Sequence, residues 1–439
     1  MSDKTIVSQS TPLGFSAIAV IRLSGDNAIK ISKKISKNYK PLKHRTAEVR
    51  NIYSGADLIN QAVFTAFLSP NSYTGEDVVE ISCHGNLHVC ESTINEIVKL
   101  GARIAEPGEY TKRAFVNGKL NLLQAESVIQ LINARSIEAV KQQTKNLSGG
   151  TTVKIQELKA NLISNLAYLE YELDVSEDVL INEKNLKKIR TNIKNNLKTA
   201  NLMSETFGRG NALSNGVKIV FVGEPNVGKS TLVNKIVGME KSITSDVPGT
   251  TRDTVSTETI IGGIPVTLVD TAGIHLSDNE IEMEGIKRSY KEIETADLVI
   301  NLFCLGLETI DINQIKDQIL VYNKVDSAPY TGTSKNIFPI SATTGKGLKP
   351  LIEHIKEKVG FIRVDAAEPL LTTIRQKEAM GNVSSCLSTA LKLLNRNPKE
   401  IELPAEEIKT AIHNIDLFTG KTTTNDILDQ VFSSFCVGK

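Results

Sequence analysis

The segment "GEPNVGKS", Gly223 to Ser230, leaves the chain around it little choice of fold. It has Gly-x-x-x-x-Gly-Lys-Ser spacing, follows the apolar run "VKIVFVG" and precedes the helix-like "STLVNKIVG". A strand that turns through glycines into a helix aims successive backbone N–H groups, and the positive end of the helix dipole, at a phosphate. Lys229 is then placed to reach the terminal phosphates and Ser230 to ligate Mg2+. Asn226, Val227, Gly228 and Thr231 complete the phosphate-binding stretch. Further apolar runs, "VTLVD", "LVINLF", "ILVYNK" and "IFPIS", alternate with helical patterns. This predicts a parallel α/β sheet over residues 215–357.

Three later motifs select the base. "DTAG" contributes Asp270, Thr271, Ala272 and Gly273, with Asp270 behind the Mg2+ water and the Gly273 N–H toward a γ-phosphate. "NKVD" contributes Asn323, Lys324, Val325 and Asp326. The Asp326 carboxylate matches guanine N1–H and its exocyclic amine, and adenine would leave it unpaired. "SAT", Ser341, Ala342 and Thr343, adds backbone contact to the base. Together these predict GTP, and the segment resembles the TRAFAC GTPases of the Era-like branch.

The residue after "DTAG" is Ile274, where Ras-like enzymes carry a water-orienting glutamine. Carboxylates at Glu280, Glu282 and Glu284 are the replacement candidates, although an acidic helix start would look the same. The other switch, "SDVPGTTRD", holds Ser245, Asp246, Val247, Pro248, Gly249, Thr250 and Thr251, the last as second Mg2+ ligand. The side-chain oxygen of Asn226 and carbonyls of the 245–250 loop form a candidate cage for K+, with Ser245, Val247 and Thr250 contributing. A monovalent cation beside the β,γ-bridge would take the part of an arginine finger.

At 439 residues the chain exceeds what one core usually serves. Residues 1–118 mix strand-like runs with glycine turns and one helix-like stretch at 91–101, an α+β pattern. Residues 119–214 and 358–439 carry helical periodicity, as in Leu162, Leu166, Leu169 and Leu173. The α/β unit therefore reads as an insertion into a helical domain. The net charge of +1 announces no global field for nucleic acid. The basic stretch "EKNLKKIRTNIKNNLK", 183–198, reads first as a solvated helix face, with a nucleic-acid patch as the alternative.

Five cysteines without framework spacing suit a reducing compartment. Cys83, His84, His88 and Cys90 cluster in sequence but fit none of the usual zinc spacings. "MSDKTIVSQSTPLG" has no signal pattern, and runs such as "ADLVINLFCLGL" are too short for a membrane span. A cytoplasmic protein without membrane attachment is expected.

The segments "TPLG", "AVIRLSG", "NSYTGEDVVEISCHGN", "PGEYTKRAFVNGKLNLLQAE" and the terminal "FCVGK" set the chain apart from other Era-like GTPases. Together with the inserted GTPase motifs they resemble the MnmE (TrmE) family of tRNA-modifying GTPases, from residue 5 to residue 439. The resemblance implies an N-terminal domain that forms a homodimer and binds folate, with Arg22, Glu80, Lys119 and Lys439 as contacts. It implies GTP hydrolysis activated by dimerisation and K+, and it selects Glu282 as the residue that bridges to the water. It further implies an FAD-containing partner, MnmG, in a heterotetramer. By the same resemblance the two would add an aminomethyl or carboxymethylaminomethyl group to ring position five of the wobble uridine of certain tRNAs. The carbon would come from a methylene or formyl tetrahydrofolate. Cys436 would face that one-carbon unit as nucleophile, proton donor or positioning group. Ser245 stands where the family commonly has threonine, which a carbonyl ligand tolerates. The competing readings are an Era-like ribosome-assembly GTPase on rRNA and a folate-binding switch without tRNA chemistry.

Overall fold

The computed structural model describes residues 4–175, 183–239, 255–271, 290–306, 318–332, 336–359, 370–397, 400–422 and 424–438. They separate into two compact units. The first comprises residues 1–129, 146–156 and 412–439, and the second comprises 130–145 and 157–411. The chain thus combines an N-terminal α+β domain, helical segments and an α/β nucleotide-binding fold.

In the first unit, β1 (Ile6–Gln9), β2 (Ser16–Ser24), β3 (Ala47–Ser54), β4 (Asp57–Phe67), β5 (Val78–Gly85) and β6 (Arg103–Ile104) form a six-stranded sheet. Its order is β3-β4-β5-β2-β1-β6, antiparallel except for β1 with β6. The period-2 alternation of "VVEISCHG" sends Val79, Ile81 and Cys83 into the core with Ile21, Leu23, Phe64 and Ile52. Helices Ala28–Ile35 and Leu87–Lys99 close that core through Ile31, Ile35 and Ile97. Asn86 caps the second of these, its Oδ1 accepting from the His88 N–H at 3.0 Å. The helix expected at 91–101 is Leu87–Lys99, and two further helices, Ala28–Ile35 and Glu109–Val116, are only eight residues long and too short for a clear periodicity.

A second cluster in this unit joins Leu122, Ala125 and Val128 to Leu428, Phe432 and Phe435, with Phe115 packed against it. Each fully buried phenylalanine contributes about 1.5–3 kcal/mol relative to exposure. Helix Asn425–Ser433 thereby docks, and the following residues are carried onto the N-terminal sheet region. Val437 bridges Pro107 in antiparallel fashion, and the Gly108 N–H donates to the Cys436 carbonyl at 3.4 Å.

In the second unit, β7 (Val217–Gly223), β8 (Val255–Ile261), β9 (Ile264–Asp270), β10 (Leu298–Phe303), β11 (Gln318–Tyr322) and β12 (Ile337–Pro339) form a six-stranded sheet of order β12-β11-β10-β7-β9-β8. All neighbours are parallel except β8 with β9. The expected all-parallel sheet is therefore mixed. The cause is Gly262-Gly263, both at positive φ (+57° and +91°), which turn the chain in a two-residue hairpin. β7 is buried along nearly its whole length, as a central parallel strand covered on both faces should be. Its Ile219 and Phe221 face a core shared with helices Lys229–Met239 and Leu348–Lys358, whereas Val220 and Val222 join Val269 and Val299 in a separate cluster.

Also in this unit, helices Glu183–Glu205 and Ile374–Arg396 pack antiparallel. Arg190 donates to the Leu394 carbonyl near one end, and the Leu371 N–H donates to Thr206 Oγ1 near the other. Among the described residues no helix is long and apolar enough to cross a membrane.

Candidate nucleotide and tail sites

The nucleotide site lies at the carboxyl ends of the parallel strands, where a doubly wound sheet places its loops. Residues 224–228 connect β7 to the helix that opens at Lys229. Asn226 adopts a left-handed conformation (φ +61°), which asparagine tolerates better than most side chains. The ammonium of Lys229 is folded over the loop, donating to the carbonyls of Gly223 at 2.9 Å and Glu224 at 3.1 Å. Burial lowers the Lys229 pKa below its usual value, while the Asp270 carboxylate works in the opposite direction. A phosphate is the natural counter-charge for a cation in that position.

Ser230 Oγ donates to Asp270 Oδ2 at 2.5 Å, and Asp270 Oδ1 is buried without a hydrogen-bond partner among the described residues. A hydroxyl and an under-satisfied carboxylate side by side form an oxygen donor set that fits Mg2+. Thr271, the next residue, is a framework group: its Oγ1 donates to the Phe221 carbonyl at 2.7 Å.

Asn323 has a role its motif did not disclose. It is buried, donates from Nδ2 to the Val227 carbonyl at 2.8 Å, and accepts at Oδ1 from the Ala342 N–H at 2.9 Å. One side chain thus ties the phosphate loop to the "SAT" loop. Lys324 sits at φ +64°, and the Val325 N–H donates to Ile340 O at 3.1 Å, which carries Asp326 to the surface of the loop. A hydrogen bond from Ser341 holds the Asp326 pKa below its usual range, keeping it an acceptor. The Ser341 hydroxyl also accepts from the Thr344 N–H at 3.1 Å, and the Thr343 carbonyl accepts from Lys235 at 3.5 Å. Thr231 is exposed on the first turn of the helix.

Several expected residues lie outside the described residues. These are Ser245, Asp246, Val247, Pro248, Gly249, Thr250 and Thr251 of one switch, Ala272 and Gly273 of "DTAG", the candidates Glu280, Glu282 and Glu284, and Lys439.

In the first unit, Arg22 on β2 and Glu80 on β5 are cross-strand partners. Two guanidinium nitrogens donate to one carboxylate oxygen, Nε to Oε1 at 3.0 Å and Nη2 to Oε1 at 2.8 Å. The tail reaches this pair: Arg22 Nη1 donates to the Gly438 carbonyl at 3.4 Å, and Ser10 Oγ donates to the same oxygen at 3.2 Å. The guanidinium also lies 5.8 Å from the Tyr73 ring centre and 5.6 Å from that of Tyr110. Both tyrosines sit in motifs quoted above, but nothing in their spacing marked them. Cys436 is exposed. Lys119 is engaged differently, its ammonium donating to Pro70 O at 2.9 Å. Cys83 and Cys90 are buried with sulfurs 3.9 Å apart, whereas the His84 ring turns to Asn60 at 2.7 Å.

The chain is similar to known proteins along its whole length. A family model described as "MnmE helical domain" matches residues 122–436, and one described as "GTP-binding protein TrmE N-terminus" matches residues 5–119. A tRNA modification GTPase MnmE of Fervidobacterium nodosum is 36% identical over 456 residues, spanning 100% of this chain and 98% of the relative. The protein of the same description from Thermotoga maritima is 37% identical over 458 residues, spanning 99% and 100%. Among solved structures, the G domain of the T. maritima FeoB iron transporter matches 32% of this chain and 98% of its own length, at 27% identity and a TM-score of 0.27.

Proposed function

The chain belongs to the MnmE (TrmE) family and is a tRNA-modifying GTPase; from that premise we propose how its parts divide the work. The observation that carries the reading is the docking of the tail beside the Arg22–Glu80 pair: Gly438, two residues beyond the exposed Cys436, meets a guanidinium that is flanked by a carboxylate and two aromatic rings. That mixture suits a pterin and its glutamate tail. Arg22 and Glu80, with Lys119 and Lys439, would hold a tetrahydrofolate derivative, in its methylene or formyl form, which supplies the one-carbon unit when bound. Cys436 acts in the modification of the wobble uridine, with an FAD-containing MnmG-type protein as partner in a heterotetramer built on a homodimer.

In the nucleotide site Lys229 and the loop amides of Asn226 to Ser230 bind the phosphates. Asp326 and Ser341 to Thr343 read the guanine. Ser230 and Thr251 would hold Mg2+, backed by Asp270, and Mg2+ supplies charge neutralisation at the β- and γ-phosphates. Asn226, Ser245, Val247 and Thr250 would hold K+, which supplies positive charge beside the scissile bridge. Glu282 orients the attacking water. The proposed division of the chain is a folate domain over 1–118, helical parts over 119–214 and 358–439, and the GTPase over 215–357.

The test is nucleoside analysis of tRNA incubated with this protein, the FAD partner, a folate donor and GTP, omitting one component at a time. Loss of the modified uridine on each omission is expected. Unchanged product without folate would remove the assignment at Arg22 and Glu80.

A further inference from the structure

The helix Glu183–Glu205 carries six basic residues between positions 184 and 204, Lys184, Lys187, Lys188, Arg190, Lys194 and Lys198, and no Asp or Glu in that span. In a chain of net charge +1 this is a local concentration and not a reflection of overall composition. A helix face that is merely solvated usually intersperses both signs, because Glu and Lys four residues apart support the helix.

The basic residues divide by what they touch. Arg190 is half-buried and spends its guanidinium on the Leu394 carbonyl, so it serves packing. Lys187, Lys194 and Lys198 recur at seven and four residues and are exposed. They lie opposite the buried stripe of Leu186, Ile189, Ile193, Ala200 and Met203. None of the three has a carboxylate partner among the described residues. Along the axis they stand about 10 and 6 Å apart at 1.5 Å per residue. Thr191 lies between them on the same exposed ridge. The ridge is therefore a line of uncompensated ammonium groups held straight by a helix that is packed on its other side. Such a line complements a linear polyanion better than it complements a single small anion.

We infer that the ridge of Lys187, Lys194 and Lys198 is a docking surface for the phosphate backbone of the tRNA substrate. This rests on the tRNA-modifying reading above. Lysines act there as point charges on phosphates, so the contact supplies affinity and orientation without reading sequence.

The experiment measures binding of a labelled tRNA to the full chain over a salt series, for the wild type, K187Q/K194Q/K198Q and K187R/K194R/K198R. GTP turnover of each variant serves as the folding control, since these residues are exposed and lie outside the nucleotide-binding motifs. Three lost phosphate contacts should reduce the slope of log affinity against log salt by about 2–3. The glutamine variant should bind at least tenfold more weakly at 100 mM salt, and the arginine variant should match the wild type. If the wild type binds tRNA and the glutamine variant binds with the same slope, the ridge is not the docking surface. If the glutamine variant keeps tRNA binding but loses binding to vesicles of anionic phospholipid, the ridge serves a lipid surface and the inference is overturned. A wild-type chain that binds no tRNA at any salt, alone or with its FAD partner, would bring down the functional reading itself.

Discussion

The Asn323 side-chain amide donates to the Val227 carbonyl at 2.8 Å, so the "NKVD" loop and the 224–228 loop share one buried hydrogen bond. Asn323→Ala should leave the Val227 carbonyl and the Ala342 N–H without partners in a buried setting. Each costs about 1–3 kcal/mol. The expected result is a lower denaturation midpoint together with weakened guanine-nucleotide binding, read by denaturant unfolding and fluorescent-nucleotide titration. Gly228→Ala should resemble it, because an added Cβ would lie 2.4 Å from Asn323 Nδ2. Unchanged affinity in both variants would remove the coupling.

The cation assignment needs a particular substitution. Asn226 stands at φ +61°, so Asn226→Ala would combine loss of the oxygen with backbone strain. Asn226→Gly keeps the conformation and removes only the side chain. GTP hydrolysis by the wild type should be faster in K+ than in Na+, and the glycine variant should abolish the difference while still binding nucleotide. Equal wild-type rates in the two salts would end the proposal.

Glu282→Ala should bind GTP with affinity close to wild type and lose most turnover, on the order of 100-fold or more for a group that positions the water. Glu280→Ala and Glu284→Ala serve as neighbours in the same segment and should retain turnover. Single-turnover hydrolysis with bound nucleotide distinguishes the three.

The thiols should fall into two reactivity classes. Cys436 is exposed, whereas Cys83 and Cys90 are buried. Burial, reinforced by the neighbouring Cys90, pushes the Cys83 thiol up to about 12. Alkylation of native protein at neutral pH, mapped by mass spectrometry, should label Cys436 and spare the buried pair. Because the folded-state value is raised, the stability linked to Cys83 is fully present below about 8.5, the ordinary thiol value. It is lost as pH rises toward about 12. An unfolding series should show the fall in that window, and Cys83→Ala should flatten it.

Cys436→Ser should leave GTP turnover intact and abolish uridine modification, since the thiol lies in the first unit and the nucleotide residues in the second. Retention of both activities would reduce Cys436 to a packing residue.

The nucleotide site was legible because its motifs couple spacing to chemistry: glycines for backbone approach, Lys229 for phosphate, Asp326 for guanine. Strand runs such as "VKIVFVG" and "LVINLF" coincide with β7 and β10 because buried parallel strands are continuous apolar runs. β8 is not legible, since "VSTETII" carries four polar residues in a row, Ser256 to Thr259, and so shows neither strict alternation nor a continuous apolar run. The stapling role of Asn323 and the aromatic flanks of Arg22 were not legible. Both depend on residues about 50 to 100 positions apart, such as Arg22 and Tyr110, that only the folded sheet brings together. The lysine stretch was visible, but its significance depends on which side of the helix is buried, which periodicity suggests and packing decides.

The hydrogen bond from Ser10 to Gly438 spans 428 positions of the chain. During synthesis, the first strands of the sheet emerge long before the residues that complete their surroundings. At 5–20 residues per second the wait is roughly 20–90 s. For most of that interval, about 310 residues of synthesis, the Phe115–Leu122 surface lacks the cover that Phe432 and Phe435 later give it. The segment that carries Cys436 therefore makes its contacts only when translation has passed residue 438, so a ribosome stalled in the last helix would hold the second sheet complete and the tail contacts of the first sheet unmade.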